Sequence, residues 1–289
     1  MNIKRGLADT PEGQLHYHVA GDGPPLVMLH TTRRSSRAYV GLMRLLTGFR
    51  TYAVDLPGFG YSDPLEGEPD IRTFALCVVH FMDALGIKRA HLFGLHAGNK
   101  IGATLAACWP ERVERFVLAG MTHSLISDQP KRLAGIPDYA HKLHETRKAT
   151  NPGLDLKDWA MLFSNVTKVW WRPDVVGKGA VTEGELGQLE DEVLDLLHGR
   201  RGYGTFYRAS WAFDVGETLA KVAAPTLVIE LATPHEAHLG RQAPVLEKLI
   251  PNCRSVTIEM NLTVEMIGSE LFYAHPAILA RYISEFLSG

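Results

Sequence analysis

The chain of 289 residues is long enough for one large α/β domain or two smaller domains, and its 46% hydrophobic and 21% charged residues are ordinary for a globular protein that folds in water. Its 30 basic residues against 32 acidic residues leave a formal net charge of -2, which disfavours binding to nucleic acid. No apolar run approaches the roughly 18 residues of a membrane span, so we expect a cytoplasmic protein without a membrane partner. We expect a monomer or a homodimer that acts on a small molecule.

Short apolar runs alternate with helix-like stretches from Pro24 onward. The runs at 26–29, 51–54, 90–93 and 116–119 are nearly continuously apolar, as strands buried on both faces of a parallel sheet should be. Between them, residues 72–85 carry an apolar stripe at helical spacing, and 101–108 form a second, small-residue helix. Strand signals resume at 225–229 and 255–260, and a helix over 277–286 closes the chain. This order predicts a doubly wound, mostly parallel α/β sheet.

The alternation is interrupted between residues 124 and 216. This stretch is helix-like, rich in tryptophan and punctuated by glycine and proline, without strand alternation. We therefore predict a core formed by 1–123 and 217–289 and a helical cap inserted at 124–216. Trp170 and Trp171 of the cap are predicted to line an apolar pocket over the sheet, although packing within the cap itself is the alternative for either ring.

The most specific local signal is a tight turn from a strand into a helix at residues 94–98, which read Gly-Leu-His-Ala-Gly. A Gly-x-X-x-Gly turn between a strand and a helix has the geometry of a nucleophile elbow. The two glycines are needed because strand and helix cross closely and the central residue takes a strained backbone conformation. The central residue, His96, is therefore expected to project into a site.

With three further segments in the right order, the chain resembles the α/β-hydrolase fold superfamily along nearly its whole length. Residues 22–30 resemble the third strand and the start of the oxyanion loop, 55–63 resemble the turn after the fourth strand, and 225–229 resemble the strand that carries the acid. The resemblance implies an α/β-hydrolase sheet with a cap. It also implies an oxyanion hole of backbone N–H groups, here from Thr31 and Ala97.

The three positions of the family's catalytic triad have all changed. His96 stands where the family has a serine, or in some members an aspartate or a cysteine. The segment after the last strand, 260–269, contains no histidine, and the acid region that follows Ile229 begins with Glu230. The chain is therefore identified as an atypical member with a non-canonical triad.

The reactions open to this site depend on the imidazole of His96, which stands where the family has a serine hydroxyl. Acyl transfer by a serine triad needs a hydroxyl that a neighbouring imidazole activates, and His96 cannot supply that hydroxyl. An imidazole, with an unperturbed pKa of ~6.5, suits general acid or base catalysis near neutral pH. A base that faces an oxyanion hole suits lyase, decarboxylase or cyclase chemistry, or the activation of water for hydrolysis.

Several residues are candidates to support His96. His123, Glu230 and His235 are each predicted as a partner of the base, because the fold brings the ends of their strands to one rim. The oxyanion loop that begins at His30 is unusually basic, and Arg33 or Arg34 is predicted to bind a carboxylate or phenolate of the substrate. His30 itself is predicted to line the substrate site. These residues and the cap tryptophans indicate a small, acidic or aromatic carbonyl compound.

Two other interpretations of the same residues remain open. The first is a catalytically silent receptor or interaction module, in which His96 is a wall of the pocket; such a protein needs only shape and apolar lining, whereas an enzyme needs a second polar group near His96. The second is a metal site that joins His96 to His123, His235 or Glu230. No short spacing of ligands marks such a site, so we predict no metal ion. No dinucleotide or phosphate-binding glycine motif is present, so we predict no cofactor.

Overall fold

The computed structural model describes residues 1–32, 34–120, 194–195, 197–232, 240–259 and 276–289. Its centre is one eight-stranded sheet in the order β1-β2-β4-β3-β5-β6-β7-β8. The strands are β1 (Lys4–Thr10), β2 (Gly13–Ala20), β3 (Pro25–Leu29), β4 (Arg50–Val54), β5 (Ala90–Leu95), β6 (Val113–Ala119), β7 (Thr226–Ala232) and β8 (Cys253–Glu259).

Seven α-helices accompany the sheet in the described part of the chain. They are α1 (Val40–Met43), α2 (Ile71–Ala84), α3 (Ala97–Cys108), α4 (Arg200–Ala212), α5 (Val215–Leu219), α6 (Ala243–Leu249) and α7 (Pro276–Leu287). A 3₁₀ turn, Ser36–Tyr39, precedes α1. None of the helices among the described residues is long and apolar enough to cross a membrane.

The predicted doubly wound, mostly parallel sheet is confirmed. Strands β3 to β8 are parallel to one another, whereas β1 and β2 form an antiparallel hairpin that joins the sheet by antiparallel pairing of β2 with β4. The sequence did not predict this hairpin, because Ala8 is the one buried residue of β1 and the strand therefore lacks an apolar alternation. Its position at the edge of the sheet leaves most of β1 facing water.

Side chains of the central strands alternate between two hydrophobic layers. In β3, Val27 and Leu29 belong to the layer that packs against α2 and α3, whereas Leu26 and Met28 belong to the layer that packs against α1 and α7. Burial on both faces explains why these strands are nearly continuously apolar in sequence. The carboxyl ends of β3, β5 and β6, which are neighbours, consequently meet at one edge of the sheet.

Helix α4 packs firmly on this core. Phe206 of α4 is fully buried, and its ring lies 4.8 Å from the ring of Phe74 and 5.6 Å from that of Phe59, centroid to centroid. The predicted cap at 124–216 lies mostly outside the described residues, so its boundaries stay predictions. Of the three cysteines, all free, Cys77 is buried, Cys253 is half-buried and Cys108 is exposed.

Candidate active site

His96 stands at the junction of β5 and α3, at the carboxyl edge of the sheet. Its backbone dihedrals are φ 47° and ψ -109°, and among the described residues it is the one non-glycine residue with a positive φ. Such a conformation costs of the order of 1–3 kcal/mol and persists only where the surroundings enforce it. The side chain is nearly buried, with 9% of the residue exposed. The elbow predicted from the two flanking glycines thus has the expected backbone.

The two glycines of the elbow are required by close approach. A Cβ atom at Gly94 would lie 2.8 Å from Oδ1 of Asn99. A Cβ atom at Gly98 would overlap the carbonyl oxygen of Leu29, the last residue of β3. Helix α3 therefore begins directly against the neighbouring strand, and only glycine fits at the point of contact.

Backbone and amide hydrogen bonds fix the elbow to the end of β6. The N–H of His96 donates to the carbonyl of Ala119 at 3.0 Å. The buried side chain of Asn99 donates through Nδ2 to the carbonyls of Ala119, at 2.9 Å, and Gly120, at 2.5 Å. Asn99 could not be singled out from the sequence, because an asparagine in the first turn of a helix is also an ordinary surface residue.

His30, at the end of β3, is fully buried and held by main-chain groups on both ring nitrogens. Nδ1 donates to the carbonyl of Thr31 at 2.8 Å, and Nε2 accepts from the N–H of Leu56 at 2.9 Å. Burial lowers the pKa of His30, against the opposing effects of the Thr31 carbonyl and the charge of Asp55. The ring is therefore a single neutral tautomer that joins the start of the oxyanion loop to the turn after β4.

A pH dependence follows from this arrangement. Because the pKa of His30 is lowered on folding, its contribution is fully present above the ordinary imidazole pKa of about 6.5 and is lost as the pH falls towards the folded-state pKa. We expect the free energy of unfolding to fall with pH by up to about 1.4 kcal/mol per pH unit for this one proton. His30→Asn, whose amide can still donate to Thr31, should have the smaller slope in urea denaturation between pH 7.5 and 5. An identical slope in both proteins would contradict the assignment.

Two hydrogen bonds meet at the carbonyl of Thr31, in the predicted oxyanion turn that follows β3. Besides the His30 ring, the N–H of Arg34 donates to the carbonyl of Thr31, at 3.3 Å. Because the peptide group is planar and trans, fixing this carbonyl turns the N–H of Thr32 in the opposite direction. Ala97 is the first residue of α3, so its N–H has no partner within the helix. The oxyanion hole predicted from the N–H groups of Thr31 and Ala97 stays a prediction, to which the N–H of Thr32 is added as a candidate.

Glu230 lies on β7, which is separated from β5 by β6. Its carboxylate accepts from the N–H groups of Gln242 and Ala243, at 2.6 and 3.0 Å, at the start of α6. It also accepts from Thr257 Oγ1 and Arg241 Nη1. Burial acts to raise the pKa of Glu230, but these donors outweigh it and hold the pKa below its ordinary value. The carboxylate is therefore occupied in capping α6, and its partnership with His96 stays a prediction.

Of the other predicted site residues, the structure describes Arg34 and leaves five outside its described part. Arg34, which belongs to the oxyanion loop, is nearly buried, with 9% exposed. His123, His235, Arg33, Trp170 and Trp171 lie outside the described residues, and their roles stay predictions. In the part of the chain that the structure describes, no three His, Cys, Asp or Glu side chains converge as metal ligands.

Asp195, which the sequence analysis did not select, lies against the oxyanion loop. It is 1% exposed, and its carboxylate accepts from Ser35 Oγ at 2.5 Å and from Ser35 N at 3.3 Å. Burial raises the pKa of Asp195 to about 6, against the lowering effects of the Ser35 bond and the charge of Arg34. In sequence, an aspartate in an acidic, helix-like stretch is typical of a solvated face, so nothing local distinguishes it.

Lys100 is a second buried charge that the sequence analysis missed. The residue is 5% exposed, and Nζ donates to the carbonyl of Ser210 at 2.6 Å and to its Oγ at 2.7 Å. Ser210 lies in the last turn of α4, where carbonyl groups lack intrahelical partners and a cation is favoured by the helix dipole. Lys100 therefore caps the carboxyl end of α4 from α3, the helix that follows His96.

Comparisons with known proteins identify the family of the fold. A family model described as alpha/beta hydrolase fold matches residues 24–259. A 2-hydroxy-6-oxononadienedioate/2-hydroxy-6-oxononatrienedioate hydrolase from Burkholderia vietnamiensis is 34% identical over 238 residues, which are 77% of this chain and 75% of that protein. A pimeloyl-[acyl-carrier protein] methyl ester esterase from Shewanella sp. is 30% identical over 132 residues, 45% of this chain, and the match spans 48% of that protein. The solved structure of a hydrolase from Pseudomonas aeruginosa PA01 aligns with a TM-score of 0.73 at 21% identity, covering 99% of both chains.

Proposed function

Because the chain belongs to the α/β-hydrolase fold family, whose members build their reactive residue at this elbow, we propose that it is a cofactor-free enzyme in which His96 acts as general acid and base without a serine nucleophile. The observation that carries the proposal is the strained backbone of His96, maintained between two glycines that no other residue could replace. Strain of this kind collects at functional positions, where it is part of the mechanism.

The first reaction that this arrangement supports is hydrolysis by activated water. The imidazole of His96 accepts a proton from water, and the resulting hydroxide adds to the carbonyl carbon of the substrate. The carbonyl electron pair moves to oxygen, and the N–H groups of Ala97 and of the Thr31 and Thr32 turn stabilise that oxyanion. When the tetrahedral intermediate collapses, the bond to the leaving group breaks, and the imidazolium returns its proton to that group. One molecule of water is consumed.

The proposed substrate is a small carbonyl acid. Relatives of the chain include proteins named as hydrolases of 2-hydroxy-6-oxo dicarboxylates, which contain a ketone and carboxylates. In the proposed site, Arg34 and Arg33 of the oxyanion loop bind a substrate carboxylate, and Trp170 and Trp171 cover an apolar or aromatic portion. His123 or His235 is the proposed second polar group beside His96.

Turnover of a substrate panel, followed by mass spectrometry in ¹⁸O-labelled water, tests the proposal. The panel contains aryl esters, thioesters, and β-keto and 2-hydroxy-6-oxo acids, each assayed with the wild-type chain and with His96→Gln. Products heavier by one labelled water establish hydrolysis, and loss of a fragment without label identifies lyase or decarboxylase chemistry. If neither protein turns over any compound while both bind the same ligands, the chain is a receptor and the proposal fails.

The proposed binding of a substrate carboxylate by Arg34 can be tested separately. Replacing Arg34 with Met should raise KM for carboxylate-bearing substrates about 10- to 100-fold, because one charge-assisted hydrogen bond is lost. KM for neutral esters should change little. Arg44→Met is the matched control, since Arg44 is an exposed arginine on the adjoining segment. Equal losses for charged and neutral substrates would show that Arg34 acts on the fold of the loop rather than on substrate charge.

A further inference from the structure

We propose that Asp195 is a positioning residue, whose carboxyl group ties the helical turn before α4 to Ser35 and thereby holds the oxyanion turn in its working conformation. This inference rests on the proposed function, because it concerns the turn whose N–H groups would stabilise the oxyanion. It is carried by the two hydrogen bonds between Asp195 and Ser35, which join residues separated by 160 positions.

Two carboxylates hold consecutive amides of the same loop. Asp195 accepts from the N–H of Ser35, and Asp55, at the end of β4, accepts from the N–H of Ser36 at 2.6 Å. Both carboxylates are 1% exposed. One belongs to the sheet and the other to the segment that leads into α4. The loop is therefore held between the core and the segment that leads into α4.

These hydrogen bonds act directly on the turn that carries the proposed donors. Ser35 caps the 3₁₀ turn with its side chain, which accepts from the N–H of Arg37. The preceding residue, Arg34, donates its N–H to the Thr31 carbonyl. Fixing Ser35 thus fixes the Arg34 amide, which in turn fixes the peptide between Thr31 and Thr32. A displacement of about 1 Å in such a group is enough to lower a rate about 100-fold.

The segment that carries Asp195 is itself joined to α4, and α4 is fixed to the core. The carbonyl of Asp195 accepts from the N–H of Gly199 at 2.8 Å, which continues the helical turn into α4. Helix α4 is fixed to the core by the buried ring of Phe206 and by the bond from Lys100 to Ser210. A carboxyl group in the turn that leads into so firmly packed a helix can determine the position of a loop.

The two carboxyl groups differ in pKa, in opposite directions from the ordinary value. Burial acts to raise the pKa of Asp55, but its donors hold the pKa below the ordinary value, so Asp55 is ionised. For Asp195, burial and the charge of Asp55 outweigh the Ser35 bond, Arg34 and Arg37, and the pKa is about 6. Because burial raises this pKa, the buried position of Asp195 against the loop is most stable below the ordinary pKa of 3.8, and this stabilisation is lost as the pH rises through about 6. The protonated carboxyl donates to Ser35 Oγ and still accepts from Ser35 N, a pattern that asparagine reproduces.

Hydrogen exchange of the full chain, read at single amides, tests the tie without any substrate. Asp195→Ala should speed exchange at Ser35 and Ser36 about tenfold or more, whereas Asp195→Asn should show at pH 7 the protection that the wild type has at pH 4. Corrected for intrinsic rates, wild-type protection should fall between pH 4 and 6, and that of Asp195→Asn should stay constant. Asp22→Asn, at an exposed site, is the control for loss of charge. Unchanged exchange in Asp195→Ala would overturn the inference, and Asp195→Asn keeps the test decisive if the alanine variant does not fold.

Kinetics then tests the consequence for the reaction. With a substrate found in the panel, Asp195→Ala should lower kcat about 10- to 100-fold and change KM by less than about threefold, since only the transition-state oxyanion loses its donors. Ser35→Ala combined with Asp195→Asn should show coupling in a double-mutant cycle. Faster exchange with unaltered kcat would overturn the positioning role. If the wild-type chain turns over nothing, the proposed function fails, and the exchange measurement alone decides whether Asp195 holds the turn.

Discussion

His96→Gln is expected to lower kcat/KM by about 10²–10⁴-fold on any substrate that the wild-type chain turns over, because a general acid and base contributes a factor of that size. Glutamine places an amide near the position of Nε2 but cannot exchange a proton near neutral pH. The loss should fall on kcat, with KM nearly unchanged, since the proton is transferred only in the transition state. Initial rates at several substrate concentrations measure both parameters.

His96→Asn provides a second test, because asparagine tolerates a positive φ better than other non-glycine residues and should leave the elbow folded. Circular dichroism and thermal unfolding of both variants establish that the fold is intact. His80→Gln is the matched control: His80 is half-buried and pairs through Nδ1 with Glu12 at 2.7 Å, and its replacement should not alter kcat. Folded His96 variants with wild-type rates would exclude the imidazole from the chemistry.

Gly98→Ala is expected to destabilise the chain by about 3 kcal/mol or more, or to prevent folding. The added methyl group overlaps the Leu29 carbonyl, which belongs to a central strand and cannot move without breaking the sheet. A loss of that size corresponds to a fall of about 6–12 °C in Tm. Urea or thermal denaturation measures it directly.

Gly48→Ala is the matched control for that substitution. A Cβ atom at this exposed glycine meets nothing within 4 Å, so its stability should stay within about 0.5 kcal/mol of the wild type. If Gly98→Ala were as stable as Gly48→Ala, the close contact between Gly98 of α3 and Leu29 of β3 would be contradicted. Helix α3 would then cross β3 at a greater distance than the structure shows.

The parts that sequence predicted are those determined locally. Continuous apolar runs predicted the buried strands, and two glycines around His96 predicted the elbow. Each of these patterns depends only on the immediate surroundings of its own residues. The β1–β2 hairpin was not predicted, because β1 has one buried residue and therefore almost no alternation of apolar and polar residues.

The supporting residues of the site could not be predicted because their partners are distant in the chain. Asp195 meets Ser35 across 160 residues, and Lys100 meets Ser210 across 110. A buried aspartate or lysine has the same local sequence signal as an exposed one, and only the tertiary partner makes its burial tolerable. His30 was predicted to contact substrate, yet both its ring nitrogens bind main chain, which no spacing in the sequence reveals.

The hydrogen bonds of Asp195 before α4 and of Ser210 at its carboxyl end also affect which parts of the chain can change during evolution. One tie precedes the helix at Asp195, the other closes it at Ser210, and the ring of Phe206 is buried between them. A helix held in this way fixes the point at which the chain re-enters the core, whatever residues come before it. Replacement of the preceding stretch by recombination would then leave the position of α4 and the backbone of the elbow at His96 unchanged.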